Sequence, residues 1–154
     1  MPGPYGYVVN HNRIVVSTAI TILQIKAGAA ASLDVAEFSL MQTLSETSQT
    51  EVIQIVRKSG AATVTSFTPL KLNPGDPAAA AVGGTAATGI TGTAEGTDTD
   101  VLDEWGFNVL NGVAWVYIPE LRVHVAAAGI IGLKFPVAPT SATWTGRLKF
   151  LEQQ

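Results

Sequence analysis

Two histidines are the first residues to consider for acid–base chemistry. His124 is predicted to lie on the outward face of a strand, beside Arg122 and Ala126. A general base acts together with a nucleophile and a group that orients its ring, and no nucleophile motif accompanies His124. His11 lies in the N-terminal segment, and the spacing identifies no further ligands that would join the two histidines in a metal site. The sequence therefore favours a surface or interface role for His124, and the chain is not expected to be an enzyme.

A run of acidic residues offers the hard oxygen ligands that calcium prefers. Its spacing lacks the Asp/Asn and Gly pattern of an EF-hand loop, so a solvated loop is the favoured interpretation. Gly83, Gly84 and Gly89 precede the run without the Lys-Ser or Lys-Thr of a phosphate-binding loop, and they indicate flexibility. No cofactor or metal is predicted. The acidic residues are Glu95, Asp98, Asp100, Asp103 and Glu104.

Three tryptophans would form a carbohydrate-binding platform if their rings were exposed. Trp115 and Trp144 alternate in register with other apolar residues. Burial of such a ring is favourable by roughly 25 cal/mol per Å², so both are predicted to belong to the core. Trp105 follows the acidic run and is predicted to be the most accessible of the three.

Composition excludes several classes of function. The 154 residues contain no cysteine, which rules out disulfides and thiolate metal sites. A net charge of −3 with nine scattered basic residues argues against a nucleic-acid partner. No window is apolar enough for a membrane-spanning helix. The apolar segment 14–23 resembles a signal-peptide core, but Ser17, Thr18 and Thr21 interrupt it, and its β-branched residues favour a strand.

Alternating hydrophobicity predicts about eight short strands and no helix of any length. The last strand has the clearest pattern, with Trp144, Leu148 and Phe150 on one face. Asn111-Gly112 between β-rich flanks predicts a hairpin. This pattern predicts an all-β chain, an antiparallel β-sandwich of jelly-roll type. The predicted strands lie within 13–26, 36–44, 51–58, 63–67, 107–117, 121–125, 131–135 and 143–150.

Two segments are predicted to lie outside this framework. Residues 1–12 form an N-terminal extended arm, and residues 13–154 form a single domain with a long central loop at 69–100. Within that loop, the Ala/Gly/Thr tract 78–99 has too little bulk for a core, so we expect it to be mobile in the free protein unless contacts with other protein subunits order it. The arm, the turn around position 75 and the most accessible tryptophan supply the predicted interaction residues. These are Tyr5, Tyr7, Pro74, Asp76, Pro77 and Trp105.

Several short motifs between Glu51 and the C-terminus occur in an order that resembles a family of short phage and prophage proteins, usually encoded among virion genes. These 104 of 154 residues contain a Pro-Gly-Asp-Pro turn after Thr-Pro-Leu, which is the most specific feature. The motifs are Val52-Ile53-Gln54-Ile55-Val56-Arg57, Thr68-Pro69-Leu70, Pro74-Gly75-Asp76-Pro77-Ala78, Phe107-Asn108-Val109 followed by Trp115, Ile118-Pro119-Glu120, and Gly146-Arg147-Leu148-Lys149-Phe150-Leu151-Glu152.

The resemblance implies a jelly-roll virion component, most similar in function to the capsid decoration or cement proteins. It implies a homotrimer on the capsid surface, with the major capsid protein as partner and synthesis in the host cytoplasm. It supplies no catalytic residue. The alternative is a carbohydrate- or receptor-binding module of a phage tail or fibre, with Trp105 in its binding site.

Overall fold

The computed structural model describes residues 4–44, 47–140 and 142–154, which form a protein built almost entirely of β-strands. Among these residues, no helix has the length and hydropathy needed to cross a membrane. A single 3-10 turn, Pro119–Leu121, interrupts the strands. The strands are β1 (Tyr5–Val16), β2 (Thr21–Lys26), β3 (Ser32–Gln42), β4 (Thr50–Gly60), β5 (Thr63–Ser66), β6 (Leu70–Lys71), β7 (Gly89–Ala94), β8 (Thr97–Asn108), β9 (Val113–Val116), β10 (Val123–Val125), β11 (Ile130–Lys134) and β12 (Ala142–Gln153).

The strands form two six-stranded antiparallel sheets that pack as a sandwich. Sheet A has the order β10-β3-β12-β1-β6, with β9 also paired to β3. Sheet B has the order β5-β7-β2-β11-β4-β8. Strands β1 to β4 alternate between the two sheets, and the last two strands return to the middle of each. The central orders β1-β12-β3-β9 and β2-β11-β4-β8 are those of a jelly roll, which confirms the predicted fold class.

The core lies between the sheets and follows the alternation of the sequence. On β12, Trp144, Leu148 and Phe150 are fully buried, as predicted. Their neighbours on β3 include Phe38, which is paired directly with Leu148. These inward faces join one continuous apolar cluster, and its burial is the main favourable term in folding.

The connection between β4 and β8, residues 61–96, is hereafter called the insertion. It adds β6 to sheet A beside β1, and β7 and β5 to sheet B beside β2. It also covers part of the outer face of sheet B. Ile55 and Leu133 are paired and belong to the core, so Val56 and Gly132, the next pair, point away from it, yet both are buried. The insertion therefore forms a third layer.

The predicted arm is wrong for the described residues of its range. Residues 5–12 belong to β1, which pairs with β12 from Tyr5 opposite Glu152 onward. Tyr7 and Val9 are fully buried, and this apolar contribution outweighs the disordering effect of the nearby Pro and Gly residues. Residues 1–3 of the predicted arm lie outside the described residues.

The prediction of a long loop at 69–100 is also wrong, because these residues contain β6, β7 and the start of β8. The tract 78–99, expected to be mobile, packs on the sandwich. A Cβ on Gly89 would lie 2.4 Å from the backbone oxygen of Thr65, so this glycine permits close strand packing rather than flexibility. Asn111-Gly112 makes a turn with Gly112 at φ +65°, but it joins sheet B to sheet A and does not close a hairpin.

Candidate interaction surface

Four aromatic side chains form a cluster at the edge of the sandwich where β8 and β9 lie. Phe38 of β3 is buried, and the ring of Trp105 covers it with centroids 4.5 Å apart. Trp115 packs on Trp105 at 5.9 Å, and Tyr117 meets Trp105 edge-on at 6.4 Å. Because Trp115 is paired with Phe38 across β9 and β3, it points toward the core side at an open edge. Its ring therefore packs inward on one side only.

The segment that contains β9 and the 3-10 turn leaves four large apolar side chains exposed, and we call them the 115–121 patch. Trp115 and Val116 are successive residues of β9 and face opposite sides of the sheet, so one core cannot bury both. Ile118 and Leu121 follow the strand. Its members and their exposed fractions are Trp115 at 47%, Val116 at 68%, Ile118 at 58% and Leu121 at 68%.

The patch adjoins strands whose outer edges are free. Among the described strands, β9 pairs with β3 alone and β8 with β4 alone. Free strand edges present unpaired backbone groups that can pair with another chain. The acidic residues of β8, including Asp100 and Glu104, place charge along one of these edges, whereas β9 carries none.

Polar contacts orient the aromatic cluster. The hydroxyl of Tyr117 donates a hydrogen bond to Asp103 at 3.3 Å. Burial raises the pKa of Tyr117, and the negative charge of Asp103 raises it further, so the hydroxyl stays protonated and remains a donor. On the same strand, Glu104 accepts a hydrogen bond from Gln54 at 2.5 Å. These acidic residues are paired members of β8, which corrects the interpretation of a solvated loop.

Two acidic residues of the same run pair with a buried lysine. The side chain of Lys58 is fully enclosed, and its Nζ lies 2.5 Å from both Glu95 Oε1 and Asp98 Oδ1. Lys134 donates to the other oxygen of Asp98 at 2.6 Å. The backbone N–H of Thr21 donates to Glu95 Oε2 at 2.7 Å, and its hydroxyl donates to Oε1 at 2.6 Å.

Hydrogen bonds keep the two carboxylates of this cluster ionised. Burial alone raises the pKa of Glu95, but hydrogen bonds from Lys58 and Thr21 outweigh it and the net pKa is lowered. Burial likewise raises the pKa of Asp98, and hydrogen bonds from Lys134 and Lys58 lower it overall. Through the contacts of Glu95 with Lys58 and Thr21, the cluster holds the end of the insertion against sheet B.

Tyr7 and Pro77, predicted as interaction residues, are brought together, but Tyr7 faces inward whereas Pro77 is exposed. The buried hydroxyl of Tyr7 donates to the backbone oxygen of Pro77 at 3.1 Å. Tyr5 is half-buried and packs against the core. Pro74 is exposed, and half-buried Asp76 closes the predicted turn, with its backbone N–H 3.0 Å from the oxygen of Asn73. These contacts hold the insertion in place.

The two histidines have different environments. His124 is exposed, with its Nδ1 2.8 Å from Asp34 Oδ1, and its predicted surface position is confirmed. His11 is 1% exposed, and neither ring nitrogen has a hydrogen-bond partner among the described residues. Burial lowers its pKa to about 4, a little offset by the backbone of Trp144. The placement of His11 in an arm is therefore wrong.

The tryptophan predictions were partly wrong. Trp144 is buried as predicted, whereas Trp115 is the exposed ring and Trp105 lies half-buried beneath it. The sequence signal that was missed is Trp-Val-Tyr-Ile at 115–118, where apolar residues occupy both faces of one short strand. Lys58 was also missed, because a lysine that ends a strand is usually exposed.

Two shallow hollows lie elsewhere on the surface. One, of about 190 Å³, is lined mainly by polar residues of sheet A, among them Asn10, Ser39 and Arg147. The other, of about 210 Å³, is lined mostly by alanines around Gly28. Within residues 4–44, 47–140 and 142–154, no group of three or more His, Cys, Asp or Glu side chains is arranged to hold a metal ion.

The chain matches no protein-family model, no curated protein and no solved structure.

Proposed function

We propose that this chain is a structural phage virion protein, a decoration or cement protein that binds the outer capsid surface as a homotrimer and stabilises the shell. The observation that carries the proposal is the 115–121 patch, whose apolar side chains lie beside a free strand edge. Large apolar side chains that a protein leaves exposed in one short segment are candidates for burial against another protein. The resemblance of residues 51–154 to short virion proteins supports the class of partner.

The amino-acid composition supports a protein that functions by binding to other proteins. Only 14% of residues are charged, so a contact surface would bury few charges that require desolvation. A trimer would present three copies of its capsid-binding surface to the shell, in addition to the surface that joins the subunits. Modest contacts then combine through effective concentration, and no single contact has to be strong.

Light scattering of the purified chain at micromolar concentration tests the self-association. We expect a trimer for the wild-type protein and a shift toward monomer for Trp115→Ser. Val137→Ser is the matched control, because Val137 is 68% exposed and lies outside the patch. A wild-type monomer, or a Trp115→Ser protein that still forms trimers, would count against a trimer built on this patch.

A copy count by quantitative mass spectrometry of the virion tests the location. Hundreds of copies, comparable to the major capsid protein, are expected for a decoration protein. A dozen copies or fewer would place the chain at the tail or neck and overturn the capsid proposal.

The second candidate is a carbohydrate- or receptor-binding module of a phage tail or fibre. The exposed ring of Trp115, supported from beneath by Trp105, is the observation that favours it, because sugars stack on exposed aromatic faces. Glycan-array binding that is lost in Trp115→Ala, together with a low copy number, would favour this function over the first.

A further inference from the structure

We propose that Lys58 and Asp98 condense into an intramolecular isopeptide bond, with Glu95 as the group that transfers the proton. The amine and the acceptor carboxyl are already in contact, since Lys58 Nζ lies 2.5 Å from Asp98 Oδ1. The side chain of Lys58 is fully enclosed, so water does not compete for its nitrogen. This inference is independent of the proposed function.

The strands hold the reacting groups in place. Lys58 of β4 and Asp98 of β8 are direct cross-strand partners. On the neighbouring strand, a Cβ at Gly132 would lie 3.0 Å from Lys58 Cε, so this glycine leaves the space through which the lysine side chain runs. Positioning of this kind can raise the effective concentration of one group at the other to about 10⁵ M or more.

Two further charged groups stand where the reaction needs them. Lys134 Nζ donates to Asp98 Oδ2 at 2.6 Å, where it would stabilise negative charge that develops on that oxygen. Glu95 Oε1 lies 2.5 Å from Lys58 Nζ, and Thr21 holds this carboxylate through two hydrogen bonds. Glu95 is therefore placed to accept a proton from the lysine.

The condensation balances without any other reagent. Glu95 takes one proton from the ammonium group, and the resulting amine attacks the Cγ of Asp98 to form the C–N bond. The tetrahedral intermediate loses Oδ1 as water, which carries away two of the three ammonium protons, one of them delivered by Glu95. The amide nitrogen keeps the third proton, and Glu95 is again a carboxylate. One ammonium and one carboxylate thus give one amide and one water molecule.

The surroundings favour the amide over the ion pair. The enclosed charge of Lys58 carries a desolvation penalty, and the neutral amide removes this charge together with that of the partly exposed Asp98. The charges of Glu95 and Lys134 remain and balance each other. The assignment to Asp98 rather than Glu95 follows from Lys134, because among the described contacts Asp98 alone has a second ammonium group to stabilise its oxygen.

Intact mass spectrometry of the full chain tests the bond directly. We expect the folded protein to be lighter than its sequence by one water molecule, after allowance for removal of the initiator methionine. Fragmentation of a protease digest should identify a peptide that joins Lys58 to Asp98. A wild-type protein that keeps its full sequence mass after prolonged incubation would overturn the proposal, and a link from Lys58 to Glu95 would overturn the assignment.

Variants separate the roles. Lys58→Met and Asp98→Ala should have the full sequence mass. Glu95→Gln keeps the shape of the site but cannot accept the proton, so it should remain unlinked; a mass deficit at the wild-type level in this variant would overturn the role of Glu95. The matched control is Arg57→Gln, which removes an exposed ion pair with Asp100 on the same two strands and should keep the deficit.

Discussion

The carboxylate of Glu152, on the last strand of the chain, accepts a hydrogen bond from the backbone N–H of Ala81 in the insertion at 2.8 Å. Its other oxygen accepts the N–H of Ala80 at 2.7 Å. Both Glu152 and Ala81 are fully buried. A single acidic side chain thus satisfies two backbone donors in a segment whose own side chains are too small to anchor it.

Replacement of Glu152 tests this anchor. Glu152→Ala should lower the free energy of unfolding by about 1–3 kcal/mol, because a buried backbone donor is left without a partner. Glu152→Gln is the control, since it keeps one acceptor oxygen and the side-chain volume and should lose less. Urea denaturation measures both. Equal stability of the alanine variant and the wild type would contradict the anchor.

Acid should destabilise the protein through His11. Burial lowers the pKa of His11 from 6.5 to about 4, so the unfolded chain binds a proton that the folded protein does not. Stability is therefore fully present above pH 6.5 and falls as pH drops toward 4. The loss should be of the order of 3 kcal/mol.

Urea denaturation across this pH range measures the His11 effect, and His11→Leu provides the comparison. Leucine cannot titrate, so the variant should lose less stability than the wild type on acidification. Parallel pH profiles for the two proteins would show that His11 does not contribute.

The glycines of the insertion should tolerate substitution unequally. A Cβ at Gly89 would lie 2.4 Å from the Thr65 oxygen and from Val64 Cγ2, so Gly89→Ala should cost about 1–3 kcal/mol through overpacking. Gly75→Ala is the matched control, because the nearest atom to its new Cβ would be 3.6 Å away. Thermal unfolding compares the two, and equal midpoints would contradict the tight packing of β7.

Residues 78–99, which comprise the second half of the insertion and the start of β8, should be required for folding. Replacement of residues 78–99 by a short Gly/Ser linker removes both carboxylates that pair with Lys58, and it removes Ala87, whose oxygen accepts a hydrogen bond from Gln24 at 2.6 Å. An uncompensated buried charge costs about 3–5 kcal/mol, a large share of the stability of a small domain. Circular dichroism should show an unfolded or strongly destabilised chain. A variant as stable as the wild type would show that residues 78–99 are not required for folding.

Tryptophan fluorescence should distinguish the three indole rings. Trp115 is 47% exposed and Trp144 is fully buried, so acrylamide should quench the fluorescence of Trp115 but not that of Trp144. Trp115→Phe should lose most of the quenchable signal. If the 115–121 patch is covered in an assembly, the signal of Trp115 should become protected. Quenching that is unchanged by Trp115→Phe would contradict its exposure.

Local pattern was sufficient for the strands that alternate cleanly. Trp144 and Leu148 on β12 were placed correctly, because each second residue is apolar and the intervening ones are polar. The first part of β1, residues 5–12, was missed because its partner is the last strand, and nothing near Tyr5 in sequence reveals Glu152. β7 was missed because close backbone approach at Gly89 stabilises it, whereas strand prediction relies on bulky side chains.

The candidate surface was predicted only in part. Trp105 was predicted as the most accessible tryptophan but lies half-buried beneath Trp115. Trp115 was assigned to the core because alternation says nothing about whether a strand lies at a sheet edge. Tyr7 and Pro77 were each predicted to be interaction residues, and the structure brings them into contact with each other. Whether a polar or aromatic group faces a partner or its own chain depends on long-range topology, which spacing does not encode.

The pairing of the first strand with the last also governs the order of events during synthesis. β1 is synthesised before the other strands of the sandwich, but the strand it pairs with along its length, β12, is synthesised after them. The central position of sheet A therefore stays empty until β12 has been synthesised, and folding must await this contact between distant segments of the chain. We expect a nascent chain that lacks β12 to be unable to close its sandwich, so that only molecules that contain this strand can become competent for assembly.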